Sequence, residues 1–265
     1  MKNQRLMGKT IVITGASGGL GEQIAKQCAQ NGAHLFLLAR NEERLEQVAI
    51  SIRELYKVRC TAIKLDVTQY DQIPPVFRRI YEEAGHIDVL VNNSGYGIFA
   101  EAENIRLADV EGMFAVNVVG LIACTKEVIP SMCQRKSGQI INIASQAGKL
   151  ATPKSSVYSA SKHAVLGFTN SLRMEMSRYG VQVMAVNPGP IRTTFFDKAD
   201  PEGSYLESLG RFMLDTEKVA ENIVASMLSN RREINLPRWM DFAGTLHTLM
   251  PRVVERLGRK AFFKK

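Results

Sequence analysis

The chain has 265 residues, enough for one α/β domain with a sizeable core, and carries 34 Lys and Arg against 26 Asp and Glu, a formal net charge of +8. Residues 1–9 hold three of the basic residues, and residues 238–265 hold seven with two acids, so residues 10–237 are neutral. That distribution argues against a basic face tracking a nucleic-acid backbone, and no nucleic-acid partner is expected.

Short apolar runs rich in β-branched residues occur at 10–14, 34–39, 60–67, 87–93, 138–145 and 181–189. Segments of helical period lie between them at 20–31, 41–57, 71–84, 104–133 and 157–179. Continuous apolar strands joined by helix-length connections predict βαβ units, hence a doubly wound, Rossmann-like parallel sheet with helices on both faces. No Pro/Gly/Ser linker or internal repeat interrupts the pattern, so one domain is expected over 1–235, followed by a basic appendix over 236–265. Cys28, Cys60, Cys124 and Cys133 show neither CxxC pairing nor a His spacing suited to zinc, so no metal site or disulfide is expected and a reducing, cytoplasmic setting fits. The start MKNQRLMGKT leaves no room for a signal-peptide core, and no uncharged apolar run is long enough to span a bilayer.

Taken in order, the strand ends carry the chemistry, because ligands of such sheets bind beyond the C-terminal ends of the strands. The first ends in TGASGGLG, where Gly15, Gly19 and Gly21, with Ser17 and Leu20 among them, precede a helix. Glycines let the backbone approach a pyrophosphate, and the helix start offers N–H groups and a positive dipole end. The second ends at Arg40, where an acid would hold the ribose of NAD; a guanidinium there favours NADP, although a solvated helix-opening residue is the plainer alternative. Asp66 and Val67 end the third, placed to meet an adenine ring, and Asn93, Ser94 and Gly95 end the fourth beside the cofactor riboses; as ordinary turn residues they need no ligand. Ser145 ends the fifth run, and one helical turn separates Tyr158 from Lys162, so phenol and ammonium share a face. An adjacent cation lowers a phenol's pKa of about 10, making Tyr158 an acid/base and Ser145 a substrate-oxygen ligand for carbonyl reduction or alcohol oxidation.

With TGASGGLG, LDV, NNSG, FAVNVVG, IINIASQAG, YSASK and NPGPIRT in order, residues 8–195 resemble the short-chain dehydrogenase/reductase family. The resemblance implies that Asn117 joins Ser145, Tyr158 and Lys162, holding a water that relays protons to Lys162, and that Lys162 also binds the nicotinamide ribose. It further implies that Pro188, Gly189 and Ile191 line the nicotinamide and that Thr193 holds its carboxamide. Family members with an arginine like Arg40 usually take NADP, yet many also have a basic residue within the glycine turn, where this chain has Ser17 and Gly18. Homodimers or homotetramers are common in the family. A 3-oxoacyl carrier-protein reductase and a dinucleotide-sensing protein with little turnover are rival readings on the same scaffold.

After Thr193, a segment with Phe195, Phe196, Leu206 and Phe212 suits either a lid over an apolar substrate or a surface loop. In the appendix, Trp239, Phe242, Leu246, Leu249, Val253 and Leu257 recur every three or four residues, with Pro251 kinking the helix or starting another. Packing of this stripe on its own domain or a second subunit is expected in preference to peripheral contact with a membrane.

Overall fold

The structure, a computed structural model, describes residues 3–200 and 213–262, the side chains of residue 198 and residues 257–262 excepted. Seven parallel strands form one sheet: β1 Thr10–Thr14, β2 His34–Ala39, β3 Cys60–Lys64, β4 Val89–Asn92, β5 Gln139–Ile143, β6 Gln182–Pro188 and β7 Glu233–Leu236, in the order β3-β2-β1-β4-β5-β6-β7. Alternate side chains point to opposite faces. Ile11, Ile13, Leu35, Leu37, Val89 and Val91 pack in one apolar layer, and Val12, Phe36, Leu38 and Leu90 in the other. The first layer is closed by helices α1 (Gly19–Gln30) and α2 (Glu42–Tyr56), the second by α3 (Ile73–Ala84), whose Ile73, Phe77 and Ile80 are buried. Burial on both faces is why these strands read as unbroken apolar runs.

The sheet grows outward from β1 to β3 and then restarts beside β1 with β4, so a crevice opens beyond the ends of β1 and β4. Where one helix was expected over 104–133, the chain forms α4 (Leu107–Phe114), a π-helical stretch (Ala115–Gly120) and α5 (Leu121–Arg135) in continuation. This run is long and apolar enough by composition to cross a bilayer, with mean hydropathy 1.7 over an 18-residue window. Yet Cys124, Val128 and Met132 join the core cluster containing Leu90 and Ile140, placing the helix against the sheet. Helix α6 (Ser156–Ser177) follows β5, and the short α7 (Phe195–Ala199) follows β6.

Two elements were not expected: α8 (Thr216–Ser226), whose Val219, Ala220, Ile223 and Val224 complete the first layer, and β7. The run EINL of β7 is short and half polar, and becomes a strand because β6 offers its edge, with Val186 opposite Ile234. The apolar run at 60–67 stops being a strand at Lys64, so Asp66 and Val67 belong to a turn. Beyond β7, Pro251 starts a second helix: α9 spans Arg238–Leu249 and α10 spans Pro251–Phe262.

Candidate active site

A cavity of about 450 Å³ occupies the crevice. The glycine turn forms one end, and its geometry demands glycine. Gly15 has φ +65°, and a Cβ there would lie 2.9 Å from Ser94 Cα; one on Gly21 would lie 2.4 Å from the Gly15 carbonyl oxygen. Helix α1 begins at Gly18–Gly19 with no side-chain cap, leaving its first N–H groups facing this end of the cavity. Arg40 lines the same end and is exposed, and so does Arg44 in the first turn of α2, whose Nη2 approaches Gly18. A cradle without side chains, beside uncapped N–H groups and two guanidiniums, suits the phosphates of a dinucleotide.

Thr14 and Asn93 lock this turn to the neighbouring strand. Thr14 Oγ1 accepts the backbone N–H groups of Asn93 and Ser94 at 3.0 Å each, and Asn93 Nδ2 donates to the carbonyls of Thr14 (3.1 Å) and Gly15 (3.0 Å). Asn93, Ser94 and Gly95 line the cavity, but the Asn93 amide is engaged as a brace.

At the other end stand Ser145, Tyr158 and Lys162, all buried and all lining the cavity. Lys162 Nζ donates to the Ile143 carbonyl at 2.9 Å and lies 5.8 Å from the centre of the Tyr158 ring. Burial pulls its pKa down to about 8. At pH 7 the ammonium therefore still outnumbers the amine by roughly ten to one. Ser145 Oγ accepts the Ala147 N–H at 3.1 Å and donates to the Pro188 carbonyl over a long 3.4 Å. Around Tyr158 the aromatic rings of Phe99 and Phe195 sit 5.8 and 5.7 Å away, and Phe196 backs Phe195 at 5.4 Å. Gly97 permits this packing, since a Cβ there would lie 2.9 Å from Phe195 Cζ.

Asn117 sits in the π-helical stretch. Its Oδ1 accepts the Tyr96 N–H at 3.0 Å, and its Nδ2 donates to the Tyr96 carbonyl (2.9 Å) and to Ser161 Oγ (3.1 Å). Gly95 stands between Asn117 and Lys162: a Cβ on it would lie 3.1 Å from Asn117 Oδ1 and 3.6 Å from Lys162 Nζ. Pro188 at the end of β6 and Gly189, Ile191 and Thr193 on the loop after it line the cavity, and Thr193 Cγ2 comes within 3.5 Å of where a Gly19 Cβ would be.

The model of the family described as short chain dehydrogenase matches residues 9–203. This chain belongs to the short-chain dehydrogenase/reductase family. It is 34% identical over 237 residues to the NADP-dependent 3-hydroxy acid dehydrogenase of Schizosaccharomyces pombe, covering 86% of this chain and 90% of the relative. It is 35% identical over 243 residues to a Dehydrogenase/reductase SDR family protein 7-like of Drosophila melanogaster, covering 88% and 73%. The solved short-chain dehydrogenase from Sphingobium yanoikuyae in complex with NADPH superposes with a TM-score of 0.79 at 27% identity, over 92% of this chain and 95% of that one. The protein is thus an oxidoreductase working between CH–OH and C=O with a nicotinamide dinucleotide and a small-molecule substrate.

In this short-chain dehydrogenase/reductase, four expected residues lie away from the cavity wall. Asp66 Oδ1 accepts the N–H and the hydroxyl of Thr68 (3.0 and 2.8 Å), because a short carboxylate after a strand closes a turn on itself. Val67 packs against Gly120 of the π-helical stretch. Asn117 stands behind the wall, holding the 95–97 loop, and its amide makes no bond to Lys162. Gly21 is likewise a packing position against Gly15. Conversely, Arg44, Tyr96, Phe99, Gln146 and Met240 line the cavity without having been singled out. Arg44 was within reach, lying four residues after Arg40; Met240 was not, since only the fold returns α9 to Gly189, where its Sδ would lie 2.9 Å from a Cβ. Phe195 and Phe196 line the cavity, whereas Leu206 and Phe212 lie outside the described residues.

Proposed function

We propose that this enzyme is an NADP-dependent reductase of carbonyl compounds with an apolar body, with Tyr158 as its acid and base. The observation that carries the reading is the convergence of Ser145, Tyr158 and Lys162 on one cavity whose far end holds the glycine turn, Arg40 and Arg44. When bound, NADPH supplies a hydride to the carbonyl carbon. Ser145 Oγ, weakly held by Pro188, donates to the substrate oxygen, and the Tyr158 hydroxyl gives that oxygen its proton as negative charge develops. The alcohol so formed has gained one hydride and one proton. Lys162, oriented by Ile143, stabilises the tyrosinate until solvent reprotonates it.

No carboxylate ends β2, and Arg44 reaches over Gly18, where other family members carry a basic residue within the turn; two guanidiniums thus support a 2′-phosphate. The NADP-dependent relative and the NADPH-bound structure support the same choice. Phe99, Leu150, Phe195 and Met240 on the wall favour an apolar substrate body. A cytoplasmic homodimer or homotetramer completes the reading, supported by exposed Leu107 and Val119 on the α4–α5 run. A carbonyl panel assayed with NADPH and NADH tests it: NADPH should win, and Tyr158→Phe should lower kcat by about 10²–10⁴-fold. Full turnover in Tyr158→Phe, or a strong NADH preference, overturns it.

A further inference from the structure

Among the described contacts, helix α9 meets the body through the face that carries Met240, Asp241 and Gly244. Lys149 Nζ bonds Asp241 Oδ1 at 2.8 Å and Glu233 Oε2 at 2.7 Å, Gly244 is buried beside Lys149, and Met240 faces Gly189. The opposite face carries Trp239, Phe242, Leu246 and Leu249, spaced at i, i+3, i+7 and i+10 and therefore on one side of the helix. They are 55%, 71%, 38% and 75% exposed, and Met250 and Val253 extend the patch at 48% and 44%. Six of the thirteen exposed large hydrophobic residues described thus fall within residues 239–253, a density that scattered surface residues do not reach. Met240 and Gly244 pack on the body, whereas Trp239, Phe242, Leu246, Leu249 and Val253 of the apolar stripe are exposed in the single chain.

We propose that the α9–α10 hairpin docks this enzyme on an anionic lipid bilayer. Charge selects this occupant over a second copy of the chain. Residues 238–265 hold seven Lys and Arg against two acids, and both acids are engaged within the chain, Asp241 by Lys149 and Glu255 facing His247 at 3.3 Å. No ion pair among the described residues engages Arg238, Arg252 or Arg256, all exposed. A twofold contact through this face would set excess positive charge against itself, whereas anionic headgroups attract it. Apolar side chains with Trp at their edge and arginines alongside are the composition of an interfacial helix. Docking in this way lays against the lipid the outer face of the helix whose inner face gives Met240 to the cavity wall, which would hold the enzyme near a source of apolar substrate; that consequence rests on the function proposed above, while the docking does not.

The chain has a single tryptophan, Trp239, so its emission reports on the patch directly. Full-length protein is mixed with phosphatidylcholine vesicles containing about one-third phosphatidylglycerol, and with phosphatidylcholine alone, and followed by co-sedimentation and fluorescence. Expected are a blue shift and binding to the anionic vesicles, weakened about tenfold or more without anionic lipid or in high salt. Phe242→Ser with Leu249→Ser, and separately Arg252→Glu with Arg256→Glu, should each weaken it about tenfold, with thermal unfolding unchanged because these side chains stand in solvent. Absence of vesicle binding, binding that neither variant weakens, or a light-scattering dimer that Phe242→Ser/Leu249→Ser splits without any vesicle binding each overturns the proposal. None of these readouts depends on turnover, so they stand apart from the catalytic test.

Discussion

Replacing Lys162 by Met tests the electrostatics of the site. Lys162 is 5% exposed, its ammonium has the Ile143 carbonyl as hydrogen-bond partner, and burial lowers its pKa from 10.5 to about 8. The unfolded chain therefore binds the proton more tightly than the folded one. Below pH 8 the charged lysine costs folding a constant amount, about 3 kcal/mol, and the cost fades as pH rises towards 10.5. Methionine fills the same channel without a charge but leaves the Ile143 carbonyl without its donor, at about 1–3 kcal/mol, so the two effects nearly offset at pH 7. The pH dependence does not cancel. Urea unfolding of both proteins without cofactor at pH 7 and pH 10 should show the wild type gaining about 2–3 kcal/mol relative to Lys162→Met between the two pH values. Groups remote from Lys162 that titrate in this range contribute to both proteins and drop out of the difference, and Tyr158→Phe in both backgrounds removes the titrating neighbour that does not. Stability profiles that stay parallel within about 0.5 kcal/mol would refute the assignment of a buried, desolvated cation.

Gly21→Ala should weaken dinucleotide binding at least about tenfold and lower the melting temperature, because its Cβ would meet the Gly15 carbonyl at 2.4 Å; calorimetric titration with NADPH checks this, and unaltered affinity contradicts the packing. Arg40→Ser with Arg44→Ser should raise the KM for NADPH about ten- to a hundredfold and leave that for NADH within about twofold; equal losses for both cofactors rule out a 2′-phosphate contact. Lys149→Met removes the ion pair that ties Asp241 of α9 to the body, together with the one to Glu233 of β7, and should cost about 1–3 kcal/mol in urea unfolding, discounted for partial exposure; no loss would show that α9 is held without that tie.

Much of this enzyme could be read along the chain because its signals are local. Strands buried on two faces are runs of Ile, Val and Leu; a turn that excludes Cβ atoms is written as Gly15, Gly19 and Gly21; Tyr158 and Lys162 share a face because they are one helical turn apart. The family follows from those motifs in order. Other features depend on which segments meet. The half-polar run EINL is a strand only against β6, Asp66 turns to Thr68 two residues on, and the Asn117 amide clamps Tyr96, 21 residues away, because a π-helical turn aims it there. Helix α9 shows the same division most plainly: its sequence spacing determined that one face is apolar, and only the fold decided that the opposite face, with Met240 and Asp241, packs against the body. Spacing along a helix sets the side on which residues project, whereas the partner of that side is set by the long-range pairing of strands and loops that brings one surface within reach and leaves the other to solvent.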